Sequence, residues 1–129
     1  MISESGYKHK NTILVDTSVW IEHLRDGNAE LERLLNNGRV ISHLYIIGEL
    51  ACGNLKNRSE ILSLFQAIPQ STIASHYEVL IFIEEKDLMG KGLGYIDVHL
   101  LASAVLSDSL LWTHDKKLSS AASVLGLNY

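Results

Sequence analysis

Four carboxylates, Asp16, Glu49, Asp97 and Asp115, stand in four separate segments where an ordinary globular domain rarely needs them. Asp16 ends the apolar run Ile13-Leu14-Val15 and opens Asp16-Thr17-Ser18-Val19-Trp20-Ile21. Asp115 closes Leu110-Leu111-Trp112-Thr113-His114 and opens Asp115-Lys116-Lys117-Leu118. Glu49 lies inside the apolar stretch Leu44 to Cys52, and Asp97 begins the apolar helix Asp97-Val98-His99-Leu100-Leu101-Ala102. Carboxylates brought together raise one another's pKa unless a cation neutralises them. An all-oxygen donor set suits a hard ion, Mg²⁺ or Mn²⁺, that keeps several waters and binds phosphate oxygens. The matching chemistry is in-line attack of a metal-activated water on a phosphodiester.

Each acid also has a purely structural reading. Asp16, Asp97 and Asp115 each stand at a helix start, where a capping aspartate contributes about 1 kcal/mol with no catalytic purpose. Glu49 is harder to explain so, because an unpaired carboxylate buried among Ile46, Ile47 and Leu50 would cost several kcal/mol unless it occupies a narrow solvated stripe. Thr17 and Ser18 are hydroxyls that can hold a metal water or phosphate oxygen, or act as caps. His114 can meet a phosphate or be an incidental loop residue; Lys116 and Lys117 can contact an RNA backbone or only solvate a first helical turn. His9, His23, His43, His76 and His99 show no metal-ligand spacing and receive no role. Trp20 and Trp112 read as core rather than as base-stacking platforms.

To bring these acids together the chain needs a scaffold. Short apolar runs at Thr12 to Val15, Val40-Ile41, Thr72-Ile73 and Leu110 to Thr113 read as strands. Helical spacing places Trp20, Ile21 and Leu24 on one stripe and Leu31, Leu34 and Leu35 on the next, stopped by Asn36-Asn37-Gly38. Further helices are expected over Leu44 to Cys52, Ser59 to Ala67, Ser75 to Met89, Asp97 to Ser107 and Asp115 to Leu125. Strands separated by helices imply an α/β fold with a parallel sheet, whose ligands bind beyond the carboxyl ends of the strands. Asp16 and Asp115 sit at two such ends and can converge across about a hundred residues. The glycine-rich piece Gly90-Lys91-Gly92-Leu93-Gly94 joins two helices and fits no phosphate-loop fingerprint, so it reads as a turn or a substrate-side loop.

The chain has 129 residues, 47% hydrophobic, and one proline, which suits one domain over residues 11–129 after a polar, flexible segment at 1–10. Eleven basic against 15 acidic residues give a net charge of −4, which argues against a simple electrostatic nucleic-acid binder but not against a nuclease whose acids hold cations. Cys52 is the single cysteine, so no internal disulfide or cysteine-based zinc site can form. No stretch reaches the roughly 18 apolar residues of a membrane span, and the expectation is a soluble cytoplasmic protein with no membrane partner.

Taken together, Ile13 to Ile21, Ile47-Gly48-Glu49-Leu50, Gly94 to Ala102 and Leu111 to Leu118 resemble the PIN-domain ribonucleases, particularly the VapC-type toxins of toxin–antitoxin pairs. Any one segment is weak; their order and spacing are specific. The resemblance implies a three-layer α/β/α sandwich around a parallel sheet, a homodimer, RNA cleavage with Mg²⁺ or Mn²⁺, and silencing by a cognate antitoxin. It places the metal site on Asp16, Glu49, Asp97 and Asp115 and the accessory hydroxyl on Thr17 or Ser18. The apolar faces Ile61-Leu62-Leu64-Phe65 and Val79-Leu80-Phe82-Ile83 then form a dimer surface, an antitoxin groove or ordinary core. Three rivals remain: a housekeeping RNA-processing nuclease of the same family, a phosphoryl-transfer enzyme with Asp16 as nucleophile, and a non-catalytic metal- or partner-binding module. The second is disfavoured because Ser18 stands where a haloacid-dehalogenase signature needs another aspartate.

Overall fold

The computed structural model describes residues 11–129; the loose N-terminal segment expected over 1–10 lies outside the described residues. Its sheet has three parallel strands in the order β2-β1-β3, with β1 at Ile13–Val15, β2 at Val40–Ile41 and β3 at Leu110–Trp112. The register pairs Ile13 with Val40 and Leu110, and Val15 with Trp112. Ile13, Leu14 and Val15 are all fully buried. An uninterrupted apolar triplet is what a central parallel strand requires, since helices cover both of its faces. Each such side chain contributes roughly 1.5–3 kcal/mol on burial.

Among the described residues, seven helices complete a three-layer α/β/α sandwich: α1 Thr17–Asp26, α2 Ala29–Asn36, α3 Leu44–Ala51, α4 Arg58–Ala67, α5 His76–Glu85, α6 Tyr95–Leu106 and α7 Lys116–Val124. The helix expected to run from Ser75 to Met89 is shorter at its far end. Asp87 turns left-handed at φ 54°, and the Leu88 N–H returns to the Ile83 carbonyl at 3.0 Å, which buries Leu88 as a stopper. Ser75 starts the same helix with a capping box, accepting from the Glu78 N–H while Glu78 accepts from the Ser75 N–H.

Thr72-Ile73 is not a strand. The sheet is extended earlier, by a single bridge between Ser42 and Gln70, with Ser42 N–H donating to the Pro69 carbonyl and Ser71 N–H to the Ser42 carbonyl. The Thr72 N–H is already taken by the Ser107 hydroxyl at 2.9 Å, so the ladder ends there. A matching bridge from Leu111 to Asn128 extends the opposite edge.

Helix α6 is the spine of the molecule. Residues Val98 to Ala104 are all buried, so this helix is covered nearly all round rather than on one stripe. Of the two apolar faces read in the sequence, Phe65 and Val79 belong to the core, whereas Leu64 and Leu80 are exposed beside Ile81. No helix among the described residues is long and apolar enough to cross a membrane.

Candidate active site

β1 and β3 are adjacent and parallel, so the residues that follow them emerge at the same edge of the sheet. Asp16 follows β1 directly; Thr113, His114 and Asp115 follow β3. The Asp16 N–H donates to the Trp112 carbonyl at 2.9 Å, which extends the ladder by one residue and fixes where its side chain departs.

Asp16 occupies the N-cap position of α1 but its side chain makes no capping bond. It is 9% exposed, and its Oδ2 accepts from the Thr113 hydroxyl at 2.7 Å and from the Ser18 hydroxyl at 3.0 Å. Among the described residues no donor reaches Oδ1. A capping role is therefore set aside for Asp16: a buried carboxylate served on one oxygen keeps the other for something else.

The two hydroxyls are themselves fixed. Thr113 Oγ1 accepts from the Asp115 N–H at 3.0 Å, and Ser18 Oγ accepts from the His114 N–H at 3.0 Å. Thr113 therefore ties Asp16 to the backbone of Asp115 across the two strand ends. The sequence offered Thr113 only as a neighbour of Asp115; its role emerges from the side-by-side placement of β1 and β3, which no local pattern encodes.

Asp115 does cap its helix, accepting from the Leu118 N–H at 2.9 Å through Oδ1. Asp97 is not the first residue of α6 but the third, and its Oδ2 accepts from the Gly94 N–H at 2.9 Å. Burial pushes the Asp97 carboxyl above the usual carboxylate range; the Gly94 hydrogen bond pulls it down, and the negative charges of Asp115 and Asp16 push it up again. Those two charges place three acids from three elements in one electrostatic neighbourhood.

Glu49 is attached differently. It is exposed on α3, and the Thr17 hydroxyl donates to its Oε1 at 2.8 Å, so it is joined to Asp16 through the next residue of the chain. It also lines a groove of about 600 Å³ between α1 and α4, with Ile21, Leu24, Arg25 and Ile61. The solvated-stripe reading of Glu49 thus holds for its exposure, while its carboxylate accepts from the hydroxyl of the residue that follows Asp16. The imidazole of His114 turns away from the acids, Nε2 lying 3.2 Å from Glu22 Oε1. Trp20 is core at 4% exposure, stacked edge-on to Phe65, and Trp112 is half-buried.

The donor set is oxygen alone, which fits Mg²⁺ or Mn²⁺ and not zinc or copper. Among the described residues no three His, Cys, Asp or Glu side chains come together closely enough to hold a metal ion as they stand. An open set of carboxylates is nevertheless what a small hard ion takes, since it binds through one or two of them and keeps waters on its other positions. The raised Asp97 carboxyl and the undonated Asp16 oxygen are both relieved by a cation.

The family model for the PIN domain matches residues 13–124. Over 116 residues the chain is 43% identical to Ribonuclease VapC32 of Mycobacterium tuberculosis, in the strains CDC 1551 / Oshkosh and H37Rv alike, covering 89% of this chain and 94% of that protein. Among solved structures, PAE2754 from Pyrobaculum aerophilum matches with a TM-score of 0.60 over 94% of this chain and 88% of its own. At 17% identity that last likeness is one of fold.

Proposed function

The chain belongs to the PIN-domain family, and on that premise we propose that it is a metal-dependent endoribonuclease, the toxin of a toxin–antitoxin pair. One observation carries the reading: Asp16, buried at a strand end, is locked on one oxygen by two hydroxyls and faces two further acids from α6 and α7. That arrangement fixes a buried carboxylate at the sheet edge where a phosphodiester and its cation can meet it.

Asp16, Glu49, Asp97 and Asp115 are the residues that would hold the cation, Mg²⁺ or Mn²⁺, directly or through its waters. When bound, it supplies an ionised water at neutral pH and offsets charge on the departing oxygen. The chain's own residues do the positioning. Thr113 and Ser18 fix the rotamer of Asp16, Gly94 fixes Asp97 through its N–H, and the α7 first turn fixes Asp115. Thr17, next to Asp16 in the chain, donates to Glu49 and fixes its carboxylate. Four acids held this way orient an attacking water in line with the scissile bond, which is where such sites gain most of their rate.

The antitoxin is the expected protein partner, seated in the open groove beside Glu49, and the exposed Leu64, Leu80 and Ile81 are the surface on which two copies of the chain associate. Size-exclusion with light scattering is expected to give twice the monomer mass, and a small protein encoded beside this chain is expected to co-purify with it. Absence of such a partner would leave the housekeeping nuclease of the same family.

The deciding experiment incubates the purified protein with structured and unstructured RNA in Mg²⁺, Mn²⁺ or EDTA, beside Asp16→Asn. Cleavage with metal, and none in EDTA or in the variant, is the expected result. Titrating Mg²⁺ into the folded protein is expected to raise its melting temperature, since a ligand that binds only the native state stabilises it. No thermal shift and no cleavage would return the protein to the class of non-catalytic binding modules.

A further inference from the structure

We propose that Lys86, Lys91, Lys116 and Lys117 form a cradle for the phosphates of the RNA strand on the α7 side of the acids, an inference that rests on the ribonuclease reading. The chain carries a net charge of −4 and seven lysines, and four of the seven line one cavity of about 320 Å³. They come from three places: Lys86 from the end of α5, Lys91 from the glycine loop, Lys116 and Lys117 from the first turn of α7. Buried Leu88 and Ala121 form the floor between them.

Among the described residues none of the four lysines forms an ion pair, although the chain has 15 acidic residues to offer. No carboxylate among the described residues lines the cavity that the four ammonium groups share, so it presents positive charge to an external polyanion. The Lys117 side chain lies over Gly92, where a Cβ would stand 2.8 Å from its Cδ and 2.9 Å from its Nζ, and the backbone angle of Gly92, φ +76°, is one that favours glycine.

The cradle is continuous with the catalytic residues. Lys116 follows Asp115 in the chain, and the loop that carries Lys91 and Gly92 ends at Gly94, whose N–H holds Asp97. A phosphodiester strand lying over the lysines therefore presents its next phosphates to the acids. Lysines placed in this way bind phosphates without reading sequence, so they fix the path of the strand and not the base that is cut.

The test measures binding of a labelled single-stranded RNA to the full-length Asp16→Asn protein over a range of KCl, with Lys→Gln changes at the four positions. Each ammonium group removed is expected to flatten the slope of log K against log salt by about 0.7, and the quadruple variant by roughly 2–3, with binding weakened more than tenfold at low salt. Arg33→Gln, on α2 and already paired with Glu30, is expected to leave the slope unchanged. All four lysines are exposed, and a melting curve checks that the variants fold. RNA binding by the parent with an unchanged slope in the quadruple variant would overturn the cradle and leave the ribonuclease standing. Loss of a co-purifying protein, with RNA binding intact, would overturn it in favour of an acidic protein partner. A wild-type chain that neither binds nor cuts RNA would take the ribonuclease reading down and the cradle with it.

Discussion

Helix α6 carries ionisable groups into two opposite kinds of surroundings. At its first turn Asp97 joins Asp16 and Asp115; one turn later His99 and Ser103 meet His43, beyond the edge of β2. Both regions bury titratable side chains, but they treat charge in opposite ways. The acids are served by donors: Thr113, Ser18, and the N–H groups of Gly94 and Leu118 all point at oxygens. The histidines are served only as neutral rings. His43 Nδ1 accepts from the Tyr45 N–H at 3.0 Å, which leaves the proton on Nε2, donated to the Ser103 hydroxyl at 3.0 Å. His99 is 1% exposed, enclosed edge-on by Tyr45 and Tyr95, and neither of its ring nitrogens has a partner among the described residues. Burial alone therefore does not mark a functional site. What marks it is burial combined with donors aimed at the carboxylate oxygens.

The sharpest way to break that contrast is to remove the carboxylate that the donors hold. Asp16→Asn keeps the shape and can still accept from Ser18 and Thr113, so the fold is expected to change by less than about 1 kcal/mol. Cleavage is expected to fall at least ~100-fold, because the variant forgoes several kcal/mol of charge stabilisation at the reacting phosphate. Single-turnover assays beside a urea titration measure both. Full activity in a folded Asp16→Asn protein would show that the donors around Asp16 serve architecture alone.

The histidine region makes the complementary prediction, in stability instead of rate. Burial, with His99 beside it, lowers the His43 pKa from 6.5 to about 4, and His99 is lowered too, by burial and by His76. The unfolded chain takes up these protons first. The stability that neutral His43 represents is thus fully present above about pH 6.5 and is lost as pH falls towards 4. A loss on the order of 2 kcal/mol is expected for His43 across that window. Protonation also sets an Nδ1–H against the Tyr45 N–H and removes the cap of α3. His43→Asn supplies a capping oxygen that does not titrate, so urea midpoints at about pH 7.5 and about pH 4.5 should lie closer together in the variant than in the parent. Equal midpoint shifts in both proteins would show that His43 does not govern the acid response.

How much of this was legible in the sequence follows the same division. Asp16 and Asp115 could be placed because an apolar run followed by a polar residue marks a strand end, and β1, β2 and β3 fall where those runs predict. Thr72-Ile73 looked equally strand-like, but the Ser107 hydroxyl takes the Thr72 N–H, a tertiary event with no local trace. Asp97 looked like a helix's first residue, yet Tyr95 and Ile96 precede it inside α6. His43 received no role because a capping imidazole has no composition signal; its meaning depends on Ser103, 60 positions away. The lysine cradle was half visible, as Lys116 and Lys117, and lacked Lys86 and Lys91 because only the fold brings α5 and the glycine loop beside α7.

The smallest expected effect tests whether the donors themselves matter, as distinct from the charge they serve. Thr113→Val is close to isosteric but loses both the 2.7 Å donation to Asp16 Oδ2 and the acceptance of the Asp115 N–H. Hydrogen-bond partners of metal ligands typically change affinity or activity about 10–100-fold, and Ser18 remains as a second donor to the same oxygen, so about tenfold is expected here. The global stability should fall by about 1 kcal/mol. Thr113→Ser retains the hydroxyl and is expected to recover most of the activity, which a packing role for the threonine methyl would not allow. The informative readout is the Mg²⁺ concentration at half-maximal rate. A rise with Thr113→Val and recovery with Thr113→Ser would place the hydroxyl's effect on how Asp16 is presented to the cation, since a fold defect would lower the rate at every metal concentration.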